Sequence, residues 1–205
     1  MVDYDLKKRY QIFLHTFQRE LDRMFNEQKE FIMCKEGCSY CCEKGEYPFS
    51  ELEFNYLLDE YKTLDNETKF KILENVARVN EAKSKFNGEQ FMYDCPFLVN
   101  HRCSVYQNRG LICRTFGLLV EHDDDRLTMP FCQDLGLNYS KVYDNEIGQI
   151  VIEKDGNSLC ETMPKAYRIA REHVLKLSIA KNLDIDWGTS KTLIDMINES
   201  NMAEL

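Results

Sequence analysis

The sequence lacks the features that membrane and nucleic-acid-binding proteins carry. No run approaches the roughly 20 apolar residues of a membrane-spanning helix, and residues 1–10 contain no apolar stretch of a secretory signal. The chain has 26 Lys and Arg residues against 35 Asp and Glu residues, a net charge of -9, and no basic stripe. An acidic surface repels phosphate backbones and anionic lipids. We therefore expect a cytoplasmic protein that binds neither nucleic acid nor a membrane.

Common catalytic motifs are also missing. The sequence contains no Walker A loop, no GxGxxG, no GxSxG and no HExxH, which removes the local signals for nucleotide binding, serine nucleophiles and zinc proteases. It has no internal repeats and no low-complexity linkers. A chain of 205 residues is long enough to bury one hydrophobic core. We predict a single domain over 1–205, with a metal-binding core at 30–135 and a hairpin and C-terminal helical extension at 136–205.

Cysteine, in contrast, is abundant, with nine residues in the chain. Eight of them lie within about a hundred residues, and Cys160 stands apart. Those eight are Cys34, Cys38, Cys41, Cys42, Cys95, Cys103, Cys113 and Cys132. In a reducing compartment, an odd number of thiols fits metal binding better than a disulfide framework. Thiolates are the preferred ligands of Zn²⁺ and of iron–sulfur clusters, so the eight are predicted metal ligands.

Eight thiols are enough for two sites of four ligands, or for one site with spare thiols. The neighbours Cys41 and Cys42 bear on this choice, because adjacent side chains of an extended chain point to opposite sides. Either they serve different sites or one of them lies outside the coordination. A small buried apolar side chain is the alternative for Cys42 and the expectation for Cys160.

Arginines accompany the later cysteines. Arg102, Arg109 and Arg114 flank Cys103 and Cys113 in an otherwise acidic chain. A zinc ion with four thiolates has a net charge of -2, which is costly to bury unless cations or donors face it. Arg109 and Arg114 are therefore predicted to lie near the metal or to orient an anionic substrate or cofactor, with ordinary surface arginine as the alternative.

Two histidines are weaker candidates. His101 falls in a predicted turn, where an exposed side chain is the expectation. His122 precedes Asp123, Asp124 and Asp125, which is a candidate site for a hard metal ion. Consecutive acids in a turn are more commonly just solvated.

Residue periodicity predicts a mostly α fold with one or two small β-hairpins, in which an irregular cysteine-rich metal-binding core packs against helices. The predicted helices cover 4–31, 51–62 after a capping box at Ser50, 66–87 after Asp65, a short segment from about 106 with Cys113 and Arg114, 161–181 and 189–199. The predicted hairpins cover 91–106 and 141–153.

These motifs resemble the CxxCxxCC, or YkgJ-like, family of zinc- or iron-chelating domains. The matching pieces are Cys34-Lys-Glu-Gly-Cys38-Ser-Tyr-Cys41-Cys42, Cys95-Pro96-Phe97-Leu98, Cys103-Ser104-Val105-Tyr106-x2-Arg109-x3-Cys113-Arg114-x-Phe116, and Cys132. The resemblance covers about 30–135 and implies a metal-chelating role for all eight cysteines. The family also includes a lysine N-methylase that acts on flagellin.

The chain departs from the family pattern at two places. Gly110 follows Arg109 where family members commonly have proline, which predicts a looser turn there. The first two cysteines, Cys34 and Cys38, are separated by three residues rather than two.

Three functions follow as hypotheses. The first is a metal-binding protein that holds a [4Fe–4S] cluster or zinc, with the metal either structural or catalytic. The second is an S-adenosylmethionine-dependent protein-lysine N-methylase with a protein substrate. Cys34-x3-Cys38-x2-Cys41, with Tyr40 before the third cysteine, is also the spacing of the radical S-adenosylmethionine signature, although the chain lacks that family's repeating strand–helix pattern. The third is a zinc-stapled adaptor or metal-handling protein without catalysis.

Overall fold

The computed structural model describes residues 3–35, 37–154 and 156–205, and of Ala203 only the backbone. Helices and short antiparallel strand pairs make up the regular structure, in agreement with the predicted mostly α fold with minor β. The α-helices of the described residues are α1 (Tyr4–Glu27), α2 (Tyr40–Glu43), α3 (Glu51–Thr63), α4 (Asn66–Lys85), α5 (Leu111–Thr115), α6 (Arg171–Val174), α7 (Ser178–Asn182) and α8 (Leu193–Glu199). Short 3₁₀ helices cover Phe131–Leu135 and Met202–Glu204.

The strands within the described part of the chain form two-stranded antiparallel pairs. In chain order the strands are β1 (Pro48–Ser50), β2 (Leu98–Val99), β3 (Arg102–Cys103), β4 (Val120–Glu121), β5 (Leu127–Thr128), β6 (Tyr143–Asp144), β7 (Gln149–Ile150), β8 (Glu153–Lys154), β9 (Asn157–Ser158) and β10 (Ser190–Thr192). Four pairs are local hairpins, β2–β3, β4–β5, β6–β7 and β8–β9, whereas β1 pairs with the distant β10.

Helix α1 is amphipathic, as its periodicity predicts, and one face of it is buried. The buried residues of that face are Tyr10, Phe13, Leu14, Phe17 and Leu21. The helix ends at Glu27, four residues before the predicted end at Phe31. Phe31 is buried as well, but it stacks on Tyr139 in a different part of the core, with the ring centroids 5.8 Å apart. Periodicity cannot distinguish these two kinds of burial.

The starts of α3 and α4 confirm the sequence signals for helix capping. The Ser50 side chain accepts a hydrogen bond from the backbone N–H of Glu53, and the Glu53 carboxylate accepts one from Ser50 in return. The carboxylate of Asp65 accepts the backbone N–H of Thr68 at 2.8 Å. These local bonds fix where the two helices begin.

Both predicted hairpins exist, with strands of only two residues. Strands β2 and β3 are joined by Asn100 and His101, which both have positive φ, so the turn is tighter than the four-residue turn expected. In the second hairpin, Tyr143 pairs with Ile150. Helix α5 carries Cys113 and Arg114 as predicted, but it begins at Leu111.

The predicted helices at 161–181 and 189–199 are wrong in part. Residues 161–170 are not helical, because Pro164 disfavours a helix and the backbone of Tyr167 bonds to Leu119 and Glu121 instead. Helices appear only as the short α6 and α7. Residues 190–192 pair with β1 and form β10, and α8 follows. The predicted helix missed this strand because β1 lies far away in the sequence.

The buried apolar residues form three clusters. The first cluster surrounds α3, α4, the β2–β3 hairpin and α8, and the second joins α1 to α5, α6 and α7. The third is small and centres on Phe31 and Tyr139. The single-domain organisation and the boundary at residue 136 stay predictions. The pairing of β1 with β10 does connect the two predicted parts of the chain.

Among the described residues, no helix combines the length and the apolar character needed to cross a membrane.

Candidate metal centre

Helix α2 carries Cys41 and Cys42. Its start is organised by buried Ser39, whose carbonyl accepts the backbone N–H of Cys42 at 2.7 Å and whose hydroxyl donates to Glu43. The two cysteines therefore lie on a helical turn, and the assumption of extended chain is wrong. Their Sγ atoms are only 4.0 Å apart.

Backbone bonds hold the β2–β3 hairpin beside α2. The N–H of Cys95 donates to the carbonyl of Cys42 at 2.7 Å, and the N–H of Leu98 donates to the carbonyl of Cys95. Leu98 is the register partner of Cys103 across the hairpin. The chain thus brings Cys95 and Cys103 next to the C-terminal end of α2.

Helix α5 is anchored by a buried carboxylate. Glu53 Oε1 accepts the first backbone N–H of the helix, that of Leu111, at 2.8 Å, while Oε2 lies 2.6 Å from Arg171 Nη1. Gly110 precedes the helix, and a Cβ there would lie 2.5 Å from the ring of Phe49. Gly110 is buried under that ring, so this turn is closely packed rather than loose. Cys113 faces the same core cluster as Cys42, Cys95 and Cys103.

Cys34 and Cys132 are connected through Asn138, which sequence reasoning missed. The fully buried Asn138 donates from Nδ2 to Cys34 Sγ at 3.2 Å and to the Gly117 carbonyl at 3.0 Å. Its Oδ1 accepts the backbone N–H of Met33 at 2.7 Å. Asn138 lies in a loop with no motif, six positions after Cys132, so no local signal in the sequence could have found it.

The thiols strongly affect one another electrostatically. The pKa of the Cys132 thiol is raised to about 11, mainly by burial and then by the negative charges of the Cys34 and Cys38 thiolates. The pKa of the Cys113 thiol is raised to about 12, mainly by burial and then by the negative charges of the Cys103 and Cys41 thiolates. These groups are neutral thiols at physiological pH when no metal is bound.

Cys41 is the exception among these thiols. A hydrogen bond from Cys42 lowers the pKa of Cys41, and Arg109 acts in the same direction. The same contact raises the pKa of Cys42, and burial and the charge of Cys41 raise it further. Cys41 is therefore the most easily ionised thiol of this adjacent pair.

The two arginines predicted to lie near the metal have different surroundings. Arg109 lies 3.7 Å from the ring centroid of Tyr106, and its charge favours the thiolate forms of Cys41, Cys103 and Cys113. The guanidinium of Arg114 donates to the carbonyls of Arg109 and Gln107 and to Gln18. Arg114 thus ties the loop before α5 to α1. Whether either residue binds a cofactor stays a prediction.

The side chains of the remaining candidates have partners other than the clustered thiols. His101 is exposed, as predicted, with Nδ1 3.8 Å from a Glu43 oxygen. His122 Nδ1 lies 3.4 Å from a Glu172 oxygen, and His173 Nε2 lies 2.9 Å from Asp123 Oδ1. Cys160 Sγ donates to the Thr162 carbonyl.

Within 3–35, 37–154 and 156–205, no three His, Cys, Asp or Glu side chains are already arranged to hold a metal ion. The eight-cysteine ligand set therefore stays a prediction. The chemistry of the donors fits zinc or iron, because both are bound by protein thiolates.

Comparison with known protein families gives one match. Residues 33–133 match the family CxxCxxCC, described as "Putative zinc- or iron-chelating domain". The matched segment begins just before Cys34 and ends just after Cys132, so it contains all eight clustered cysteines. No curated protein and no solved structure matches the chain.

Proposed function

We propose, on the premise that residues 33–133 of this chain are a CxxCxxCC domain, that the protein binds zinc or iron through its eight clustered cysteines. The observation that carries this proposal is the arrangement around α2. Cys95 is bonded to Cys42 through the backbone, and the 3₁₀ helix with Cys132 packs against α2. Thiols that are distant in the sequence are therefore neighbours of one short helix.

The protein supplies three things to such a metal. Its thiols are the ligands, the burial of Cys95 and Cys132 keeps water from those two sulfurs, and Arg109 offsets negative charge that accumulates on the sulfurs. The bound metal would cross-link the segments that carry the thiols. A site with four thiolates and no open position is typical of structural zinc and of electron-transfer clusters, rather than of catalytic zinc.

Metal analysis of the full chain, purified without oxygen, tests this proposal. Stoichiometric zinc in a colourless protein supports a zinc-stapled, non-catalytic protein. Iron with inorganic sulfide and a broad absorption near about 400 nm supports an iron–sulfur protein. Cys38→Ala should lose metal, whereas Cys160→Ser should keep it. A wild-type chain that holds neither metal would contradict the proposal.

A second candidate function is S-adenosylmethionine-dependent N-methylation of a protein lysine. The observation that favours it is an open cleft of about 720 Å³ lined by Glu43, Asp94, Leu98, Asn100 and His101. Glu43 follows Cys42 in the sequence and Asp94 precedes Cys95. Their carboxylates attract a lysine ammonium group. Calorimetric titration of the metal-loaded, oxygen-free chain with S-adenosylmethionine tests this function, and an absence of binding would count against it.

A further inference from the structure

The environment of Cys42 separates it from its neighbour Cys41. Cys42 packs against the first core cluster together with Cys95, Cys103 and Cys113. None of the other five cysteines belongs to that cluster within the described residues. The backbone bond from Cys95 to Cys42 and the register of Cys103 opposite Leu98 hold these groups together. Four thiols thus share one apolar environment.

A second group of thiols is connected to α2 through the 3₁₀ helix at Phe131–Leu135. Cys132 sits on the 3₁₀ helix that packs against α2, and the backbone N–H of Leu137 donates to the carbonyl of Cys132. Asn138 then reaches back to Cys34 and to the backbone of Met33. Cys38 lies in the loop that leads from Cys34 to α2, in a turn closed by its backbone N–H, which donates to the carbonyl of Lys35 at 3.0 Å.

Helix α2 therefore contacts segments of both groups. Cys42 belongs to the group with Cys95, and Cys41 is the fourth thiol available to the group with Cys34. On a helix, adjacent side chains point about 100° apart, so one turn of chain can present one sulfur to each side. The 4.0 Å between the two sulfurs places the two groups side by side.

We infer that the eight cysteines form two four-thiolate metal sites that meet at α2, an inference that rests on the proposed metal-binding function. One site comprises Cys34, Cys38, Cys41 and Cys132, and the other comprises Cys42, Cys95, Cys103 and Cys113. The sequence leaves open whether Cys41 and Cys42 serve one metal site or two, and this grouping favours two sites.

Metal stoichiometry tests the division directly. The wild-type chain, purified without oxygen, should contain about two zinc ions, or about eight irons with eight sulfides. A content of one zinc, or of four irons, would overturn the inference while the proposed function stands. A chain that contains neither metal would overturn the proposed function itself.

Paired variants give a second readout that does not depend on activity. Cys132→Ser and Cys103→Ser should each lose half of the metal, and the double variant should lose all of it. Cys160→Ser is the matched control and should keep the full content. Circular dichroism monitors folding, and anaerobic Co²⁺ titration of each folded variant reports the remaining sites through thiolate charge-transfer absorption. If both single variants lose metal but the folded double variant loses no more than either, the two cysteines serve one site and the inference is wrong.

Discussion

Asn138 shows how much a single buried amide can organise. The hydrogen bonds of its side chain connect the sulfur of Cys34, the backbone of Met33 and the backbone of Gly117. Amide N–H groups that donate to sulfur stabilise the thiolate and orient the ligand. The residue also lies outside the segment that matches the family, so a pattern of cysteines alone does not reveal it.

We predict that Asn138→Leu, which keeps a similar volume, weakens both the fold and the metal centre. The substitution leaves the buried N–H of Met33 without a partner, at a cost of about 1–3 kcal/mol in the free energy of unfolding. Urea denaturation measures this loss, and the rate of zinc or iron transfer to a chelator measures the second effect. The same change at the exposed Asn87 serves as the control. Unchanged stability and metal release would contradict the role given to Asn138.

Glu53 is a second residue on which several elements depend. It is buried, it caps α3, it accepts the first N–H of α5, and it pairs with Arg171 beside α6. Removing one partner of a buried ion pair leaves the other charge uncompensated. The position of Cys113, on α5, depends on this carboxylate.

Glu53→Gln should therefore lower the free energy of unfolding by about 3 kcal/mol. The exposed Glu51, in the same helical turn, provides the matched control through Glu51→Gln, which should cost only a few tenths of a kcal/mol. Chemical denaturation compares the two variants. Equal stabilities would show that the charge of Glu53 contributes nothing.

At the scale of elements, capping explains why α4 begins where it does, and it predicts a pH dependence. The N–H and hydroxyl of Thr68 donate to Asp65 and lower the pKa of that carboxyl below its usual value. A lowered folded-state pKa means that the stabilisation is fully present above the unfolded value of about 3.9 and is lost as the pH falls through the folded value.

We expect Asp65→Ala to lower Tm at neutral pH, and the difference from wild type to shrink as the pH falls below about 4. Thermal unfolding of both chains between pH 3 and pH 7, in steps of about 0.5, measures the difference, so that effects of acid on the rest of the chain cancel. Asp65→Ser keeps an uncharged cap and should remain close to wild type at neutral pH. A difference that does not change with pH would show that the carboxylate is not the source of the stabilisation.

At the scale of the whole molecule, the candidate metal centre and the core share residues. Cys42, Cys95, Cys103 and Cys113 pack in the first cluster, whereas α1 is buried in the second. A metal held by the first group would therefore stabilise the region around the β2–β3 hairpin more than it stabilises α1.

Removal of the metal by a chelator should lower Tm by about 10 °C, the change expected for a loss of about 3 kcal/mol in a chain of this size. Hydrogen exchange should accelerate most at residues 93–113 and least in α1. Re-addition of the metal under reducing conditions provides the control and should restore both. An unchanged Tm after complete metal removal would show that the metal does not cross-link the fold.

Local sequence predicts an element well when interactions within a few residues stabilise it, and poorly when distant residues do. Helices α1, α3 and α4 were predictable, because apolar periodicity and caps act within a few residues. The segment 161–170 and strand β10 were not, because distant backbone partners replace their helical bonds. The spacing of apolar residues along the chain carries no information about such distant partners.

The sequence by itself determined the chemistry of this protein. Eight clustered thiols, an acidic charge and the helix caps at Ser50 and Asp65 are all readable from the chain, since each depends on residue type and short separations. Only the tertiary structure provides the contacts from which we infer how the thiols are grouped. Whether Cys41 and Cys42 face one site or two depends on α2 being helical, on the Cys95–Cys42 backbone bond and on Asn138. These contacts join residues up to a hundred positions apart, and packing rather than local preference selects them.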